Sequence, residues 1–199
     1  MYNYCIIFIN VVRGYGFMNI KKWMYYVIFI FGFVAIAFFA LSFCYDDAWI
    51  EILGVTLITS YYHICIRPLT GSILNLKYHN NINWNHWWFK EKKFEKRIYK
   101  ILKVKKWKKL MPTYDKDAFN FEEKSLKEII GATCQAELVH ELMLVESFLP
   151  LFLIIPYGRI VVFVSTTIFC IFIELIFIMI QRYNRPRLLK LYSKISKNN

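Results

Sequence analysis

The sequence predicts an all-α integral membrane protein, with about four transmembrane helices and a basic amphipathic cytoplasmic loop. Three observations carry that prediction. Hydrophobic residues make up 57% of the 199 residues, more apolar surface than one soluble domain of this length can bury. That surface is gathered into long runs with few or no charges, the mark of membrane spans. The formal charge of +12 lies between and beside those runs, where it faces anionic lipid on the inner side of a membrane. Basic residues that flank spans do not point to nucleic acid as a partner.

Taken in order, the chain divides into five parts. Residues 1–22 are an N-terminal tail. Its run 6–12 is too short to span, and Met18-Asn19-Ile20-Lys21-Lys22 has the look of a natural start, so residues 1–17 read as an upstream extension of the reading frame or as an interfacial tail. Residues 23–66 form a transmembrane hairpin. Its first arm, 23–44, has no charge and is too long for the apolar core of a signal peptide, and no small-residue cleavage site follows it. A short acidic turn, Tyr45-Asp46-Asp47, leads into the second arm, 49–66, which ends at Arg67-Pro68.

Residues 67–135 are a basic cytoplasmic and interfacial region. Between 77 and 130 there are 15 Lys and Arg against seven acids. Trp84, Trp87, Trp88 and Phe89 form an aromatic cluster suited to headgroup level. In the stretch that follows, Phe94, Ile98, Ile101 and Leu102 recur at i, i+4, i+7 and i+8 beneath a basic face, which predicts a helix lying in the interface over 90–110. The basic run breaks at Met111-Pro112, and a second amphipathic segment, 119–130, leads through Gly131 to the next span.

Residues 136–181 form a second transmembrane pair, with spans at 142–156 and 160–180 joined by the tight turn Pro156-Tyr157-Gly158-Arg159. Glu146 and Glu174 fall inside these spans. A carboxylate facing lipid is expensive, so both are expected to face the bundle. Residues 182–199 are a basic tail. Both termini and the long loop then share one side, and the excess of Lys and Arg there makes it cytoplasmic, in a multi-pass protein of the cell membrane.

Five scattered cysteines lack disulfide or metal spacing and read as free thiols; four dispersed histidines give no reason to expect a metal. The stretch 136–150 holds the most chemistry. Glu137, His140 and Glu141 share one helix face where a span meets water. An imidazole beside carboxylates can take a proton from a hydroxyl, with His140 as base and Glu137 orienting it. The bland alternative is a charged helix end that marks the membrane boundary. His63 and Arg67, one turn apart near the inner interface, are either anchors or a second polar contribution to the site.

The order Phe94-Glu95-x-x-x-Tyr99, Val104-x-x-Trp107-Lys108 with Pro112, Ala136-Glu137-x-x-His140 and Gln181-Arg182-Tyr183-Asn184-Arg185-Pro186-Arg187-Leu188 resembles the glycosyl-4,4'-diaponeurosporenoate acyltransferases over roughly residues 85–190. The resemblance implies a membrane acyltransferase of staphyloxanthin-type carotenoid synthesis. Such an enzyme esterifies a fatty acyl group onto the sugar hydroxyl of a glycosylated lipid or carotenoid. It implies no bound cofactor and an acyl donor, acyl-CoA or acyl carrier protein, as co-substrate. His140 and Glu137 are then the catalytic residues, and Arg185, Arg187, Asn184, Arg67 and His63 the substrate-binding ones. Guanidinium forks suit donor phosphates and a developing oxyanion alike. No nucleophile elbow is present, which favours direct transfer over an acyl-enzyme. The competing class is a non-catalytic inner-leaflet scaffold or lipid-binding protein, its basic loop holding anionic lipid.

Overall fold

The computed structural model describes residues 20–111 and 117–198; the expectations for residues 1–17 and for a break at Pro112 lie outside them. No strand occurs among the described residues. Four helical segments are long and apolar enough to cross a bilayer: Trp23–Cys44, Ala48–Tyr78, Leu126–Tyr157 and Ile160–Lys197. The chain is an all-α integral membrane protein.

Helix α1 (Ile20–Cys44) is about 37 Å long at helical rise, enough to span. Phe29, Ile30 and Phe33 project outward, as residues facing acyl chains must. After the turn Tyr45–Asp47, the Asp47 carboxylate caps α2 (Ala48–Tyr78), accepting from Trp49 N at 2.8 Å and Ile50 N at 3.1 Å. Helices α1 and α2 lie together, and Gly54 permits the close approach, since a Cβ there would sit 3.0 Å from the Phe38 carbonyl oxygen.

The sequence reading ends this span at residue 66, but α2 runs on to Tyr78. Pro68 removes one N–H from the helix without stopping it, because α2 packs against two other helices on this stretch. The end comes where His79 and Asn80 both take left-handed backbone, φ 46° and 59°. Gln135 holds that turn: its Oε1 accepts from Asn80 N at 2.7 Å, and its Nε2 donates to Asn75 Oδ1 at 3.2 Å.

The polar region folds against the basic end of the bundle. A single 3-10 turn, Trp87–Phe89, precedes α3 (Lys93–Ile101) and the short α4 (Val104–Trp107). The expected interfacial stretch is therefore two helices, broken at Lys103, rather than one. Its amphipathic logic holds: Phe94 and Ile101 are left exposed, while Glu95 and Tyr99 on the other face are buried against the protein.

Helix α5 (Leu126–Glu146) opens on a capping box. Ser125 Oγ accepts from Glu128 N, and the Glu128 carboxylate accepts from Ser125 N at 2.8 Å. The reading of 119–130 as one amphipathic segment is thus corrected: only its last five residues are in α5, and residues 120–125 are turn and coil. The helix of the third span begins at Leu126, sixteen residues before the expected 142, and breaks after Glu146, where a 3-10 segment, Leu149–Leu153, carries Pro150. The four-residue α6 (Ile154–Tyr157) follows, and Gly158, at φ 64°, reverses the chain into α7 (Ile160–Asn198). Helix α7 continues unbroken through Pro186, so the basic tail expected at 182–199 is the same helix as the fourth span. At the opposite end from the basic region, Arg159 Nε donates to Glu51 Oε1 at 3.1 Å, tying the last turn to α2.

Helices α5 and α7 form the central pair, and α2 packs on both. Gly131 sets the distance between α5 and the end of α2, since a Cβ there would lie 2.1 Å from the Asn80 carbonyl oxygen. Gly131→Ala is expected to cost about 1–3 kcal/mol through that backbone clash. Thermal unfolding of the detergent-solubilised protein should show a clear loss, while Gly71→Ala, which meets nothing within 4 Å, should not. Equal behaviour of the two variants would contradict this packing.

Candidate active site

Ionisable side chains from α2, α3, α5 and α7 meet in two layers. The first lies at the basic end. Glu137 on α5 is fully buried, and each of its oxygens takes a guanidinium from α7: Arg182 at 2.5 Å, and Arg185. Arg182 also donates to Glu95 Oε1 on α3, at 2.9 Å from Nε and 2.6 Å from Nη2, and to the carbonyls of Trp88 and Lys90. Arg185 is 1% exposed and donates to Thr133 Oγ1 at 3.2 Å, Thr133 O at 3.1 Å and Phe89 O at 3.1 Å, with its guanidinium over the Phe89 ring. Two carboxylates and two guanidiniums thus neutralise one another with their polar atoms satisfied, the condition under which charge can be buried.

The second layer lies further along α5 and α7. His140 Nδ1 is 2.7 Å from Glu174 Oε2, and the imidazole stacks on Phe177 with ring centroids 4.8 Å apart and planes 8° from parallel. The other oxygen of Glu174 pairs with Arg67 of α2. His140 Nε2 makes no hydrogen bond among the described residues. Arg67 and His63 line a cavity of about 510 Å³ between α2 and α7, with Ser60, Thr166, Cys170 and Ile173. His63 is buried, and its Nε2 has no hydrogen-bond partner among the described residues.

The expected inward orientation of both intramembrane carboxylates holds. Glu174 is 1% exposed within the bundle, and Glu146 accepts from Thr70 Oγ1 at 2.7 Å. Other expectations are corrected. Glu137 does not orient His140: although one turn away on the same helix, its two oxygens are committed to Arg182 and Arg185, and the carboxylate on the imidazole is Glu174, from another helix. Arg185 is not available to a ligand, because burial and its internal partners consume its donors. Asn184 accepts from Lys108 Nζ at 2.5 Å. Arg187 lies over the Tyr183 ring and donates to the Tyr183 carbonyl, away from His140's layer. Glu141 accepts from the Trp88 indole N–H at 2.9 Å and is not in the histidine pair.

Breaking a buried ion pair leaves its survivor uncompensated and costs about 3–5 kcal/mol. Glu137→Ala, which strands Arg185, is therefore expected to lower the unfolding temperature in detergent far more than Glu141→Ala on the partly exposed face of the same helix. Equal shifts would show that the Glu137 carboxylate does not hold this end together.

The family model described as glycosyl-4,4'-diaponeurosporenoate acyltransferase matches residues 85–194, more than half of the chain. The matched stretch carries Glu95, Glu137, His140, Glu174, Arg182 and Arg185, and so most of both layers; Arg67 and His63 precede it. Comparison with curated proteins and with solved structures gives no match. That match spans the buried charge layer and the histidine–carboxylate pair, and on it the chain belongs to the glycosyl-4,4'-diaponeurosporenoate acyltransferase family.

Proposed function

We propose that the chain transfers a fatty acyl group from a thioester carrier to a sugar hydroxyl of a glycosylated lipid held in the membrane. The acceptor in the family's description is glycosyl-4,4'-diaponeurosporenoate. The observation that carries the reading is the pairing of His140 with Glu174 inside an apolar bundle, with the other imidazole nitrogen uncommitted. Ionisable groups on spanning helices are costly and mark function by default.

In this mechanism Nδ1–H of His140 donates to Glu174, which fixes the tautomer and leaves Nε2 as an acceptor. Nε2 takes the proton of the sugar hydroxyl as its oxygen attacks the acyl carbonyl carbon. The ester C–O bond forms, the C–S bond breaks, and the imidazolium returns the proton to the leaving thiolate. Glu174 stabilises the imidazolium while it exists. Arg67 pairs with Glu174 and, lining the adjoining cavity, offers further N–H donors to the oxyanion. The cavity's apolar wall, with Ile64, Phe169 and Ile173, suits an acyl or polyene chain.

The reading also orients the protein, with its basic end in the cytoplasm, where acyl carriers are found. In a background without the native cysteines, Asp46→Cys should react with an impermeant thiol reagent in intact cells and Lys105→Cys only after lysis. The reverse pattern would put the site on the wrong side for a cytoplasmic donor.

The chemical test is acylated glycolipid formed per unit of membrane-inserted protein. His140→Gln keeps size and hydrogen-bonding capacity, and removing a general base should lower product by about 10²–10⁴-fold. Product near the parent level from a well-inserted His140→Gln protein would remove His140 from the mechanism and point to His63.

A further inference from the structure

A second cavity, of about 490 Å³, opens at the basic end between α3, α4 and the extension of α7. Six cations line it, Lys96, Lys100, Lys103, Lys105, Lys106 and Arg187, against one carboxylate, Glu91. Glu91 is already committed to Lys96 at 3.3 Å. Lys100, Lys103, Lys105 and Lys106 have no ion-pair partner among the described residues.

Helical spacing alone gathers Lys96, Lys100 and Lys103 but would not add Lys105 to them. On one uninterrupted helix, Lys105 would fall on the face opposite Lys96. The chain instead breaks at Lys103, which takes the left-handed conformation, φ 51° and ψ 39°, without being glycine. That break ends α3, starts α4 and turns Lys105 and Lys106 into the same cavity. Strained backbone of this kind gathers at ligand clamps. Here it brings like charges together, which is unfavourable until an anion lies among them.

The floor is aromatic and neutral. Tyr99 and Tyr183 meet edge to face, with centroids 5.3 Å apart. Burial, and then its hydrogen bond to Glu95, push the Tyr99 phenol well above the usual tyrosine range, so it stays protonated. Tyr99 donates that proton to Glu95 at 2.9 Å, which joins the floor to the Arg182 layer. Tyr183 carries Arg187 on its face.

We propose that this cavity binds a ligand bearing two or more phosphate groups. A single carboxylate would leave most of its charge unanswered, whereas clustered phosphates match several ammoniums and a guanidinium at once. The nucleotide end of an acyl thioester carrier and the headgroup of a phospholipid that carries two phosphates share that chemistry. The donor assignment, which rests on the acyl-transfer reading, has geometric support. Arg187 and Glu174 are thirteen residues apart on α7, about 20 Å at helical rise, the scale of an extended pantetheine arm.

The test is equilibrium binding to the full-length protein in phosphatidylcholine nanodiscs, with coenzyme A and inorganic pyrophosphate as probes. The parent is compared with the exposed triple variant Lys100→Gln, Lys103→Gln, Lys106→Gln. Saturable binding of either probe, weakened by added salt and at least about tenfold weaker in the variant, supports the proposal; coenzyme A tighter than pyrophosphate identifies the donor as its source. If neither probe binds but the parent retains a phospholipid with two phosphates through purification and the variant loses it, the headgroup is the source. Parent and variant alike in all three measurements would overturn the proposal. No turnover is needed, so failure of acyl transfer with binding intact would count against the proposed function alone.

Discussion

The structure depends on the Glu137 carboxylate, shared between Arg182 and Arg185 where water is excluded. Two guanidiniums so close would repel one another, and either carboxylate alone would be costly to bury. With Glu95 the four charges balance, and the carbonyls of Phe89, Trp88, Lys90 and Thr133 take the remaining donors. The layer does in this protein what an apolar core does in a soluble one. Helices facing lipid gain little from burying more hydrocarbon against each other, so association falls to packing and to polar groups that have no better partner. Here those groups also pull the loop and α3 onto the end of the α5–α7 pair.

The register of α5 on α7 follows from that layer, and the chemistry from the register. With Glu137 locked to Arg182 and Arg185, His140, one turn on, faces α7 about two turns before Arg182, where Glu174 stands. Phe177 fills the face of the imidazole and Arg67 closes the far side of the carboxylate from α2. Three helices therefore contribute to a pair that needs only two side chains. A histidine on a single helix could drift among rotamers; one stacked and hydrogen-bonded across a helix interface cannot.

Much of this was legible in the sequence because lipid imposes simple rules. Long apolar runs with few or no charges gave the four spans, and the cost of charge in lipid was enough to turn Glu174 and Glu146 inward. What local pattern could not reveal was the choice of partner. Glu137 lies three residues from His140 and Glu174 thirty-four, so spacing favoured Glu137; the two arginines that claim it are 45 and 48 residues away. Pro68 looked like a stop, yet α2 continues, as α7 does through Pro186, since tertiary packing offsets one missing hydrogen bond. The start of α5 was visible as Ser125-x-x-Glu128, but an apolar stripe that ran upstream to Phe119 obscured it. Arg185 and Arg187, adjacent to one proline and alike on paper, part company completely: one is sealed in the interior, the other lines a basic cavity.

The central claim is that His140 and Glu174 act as one unit across the helix interface, with Glu137 in a separate, structural layer. A double-mutant cycle on the rate of acyl transfer per inserted protein measures that directly. If the two act together, adding Glu174→Gln to His140→Gln should lower the rate little further, within about threefold of His140→Gln alone. Multiplicative losses for that pair, with non-additive losses for His140 and Glu137 instead, would contradict the account and return Glu137 to the catalytic site.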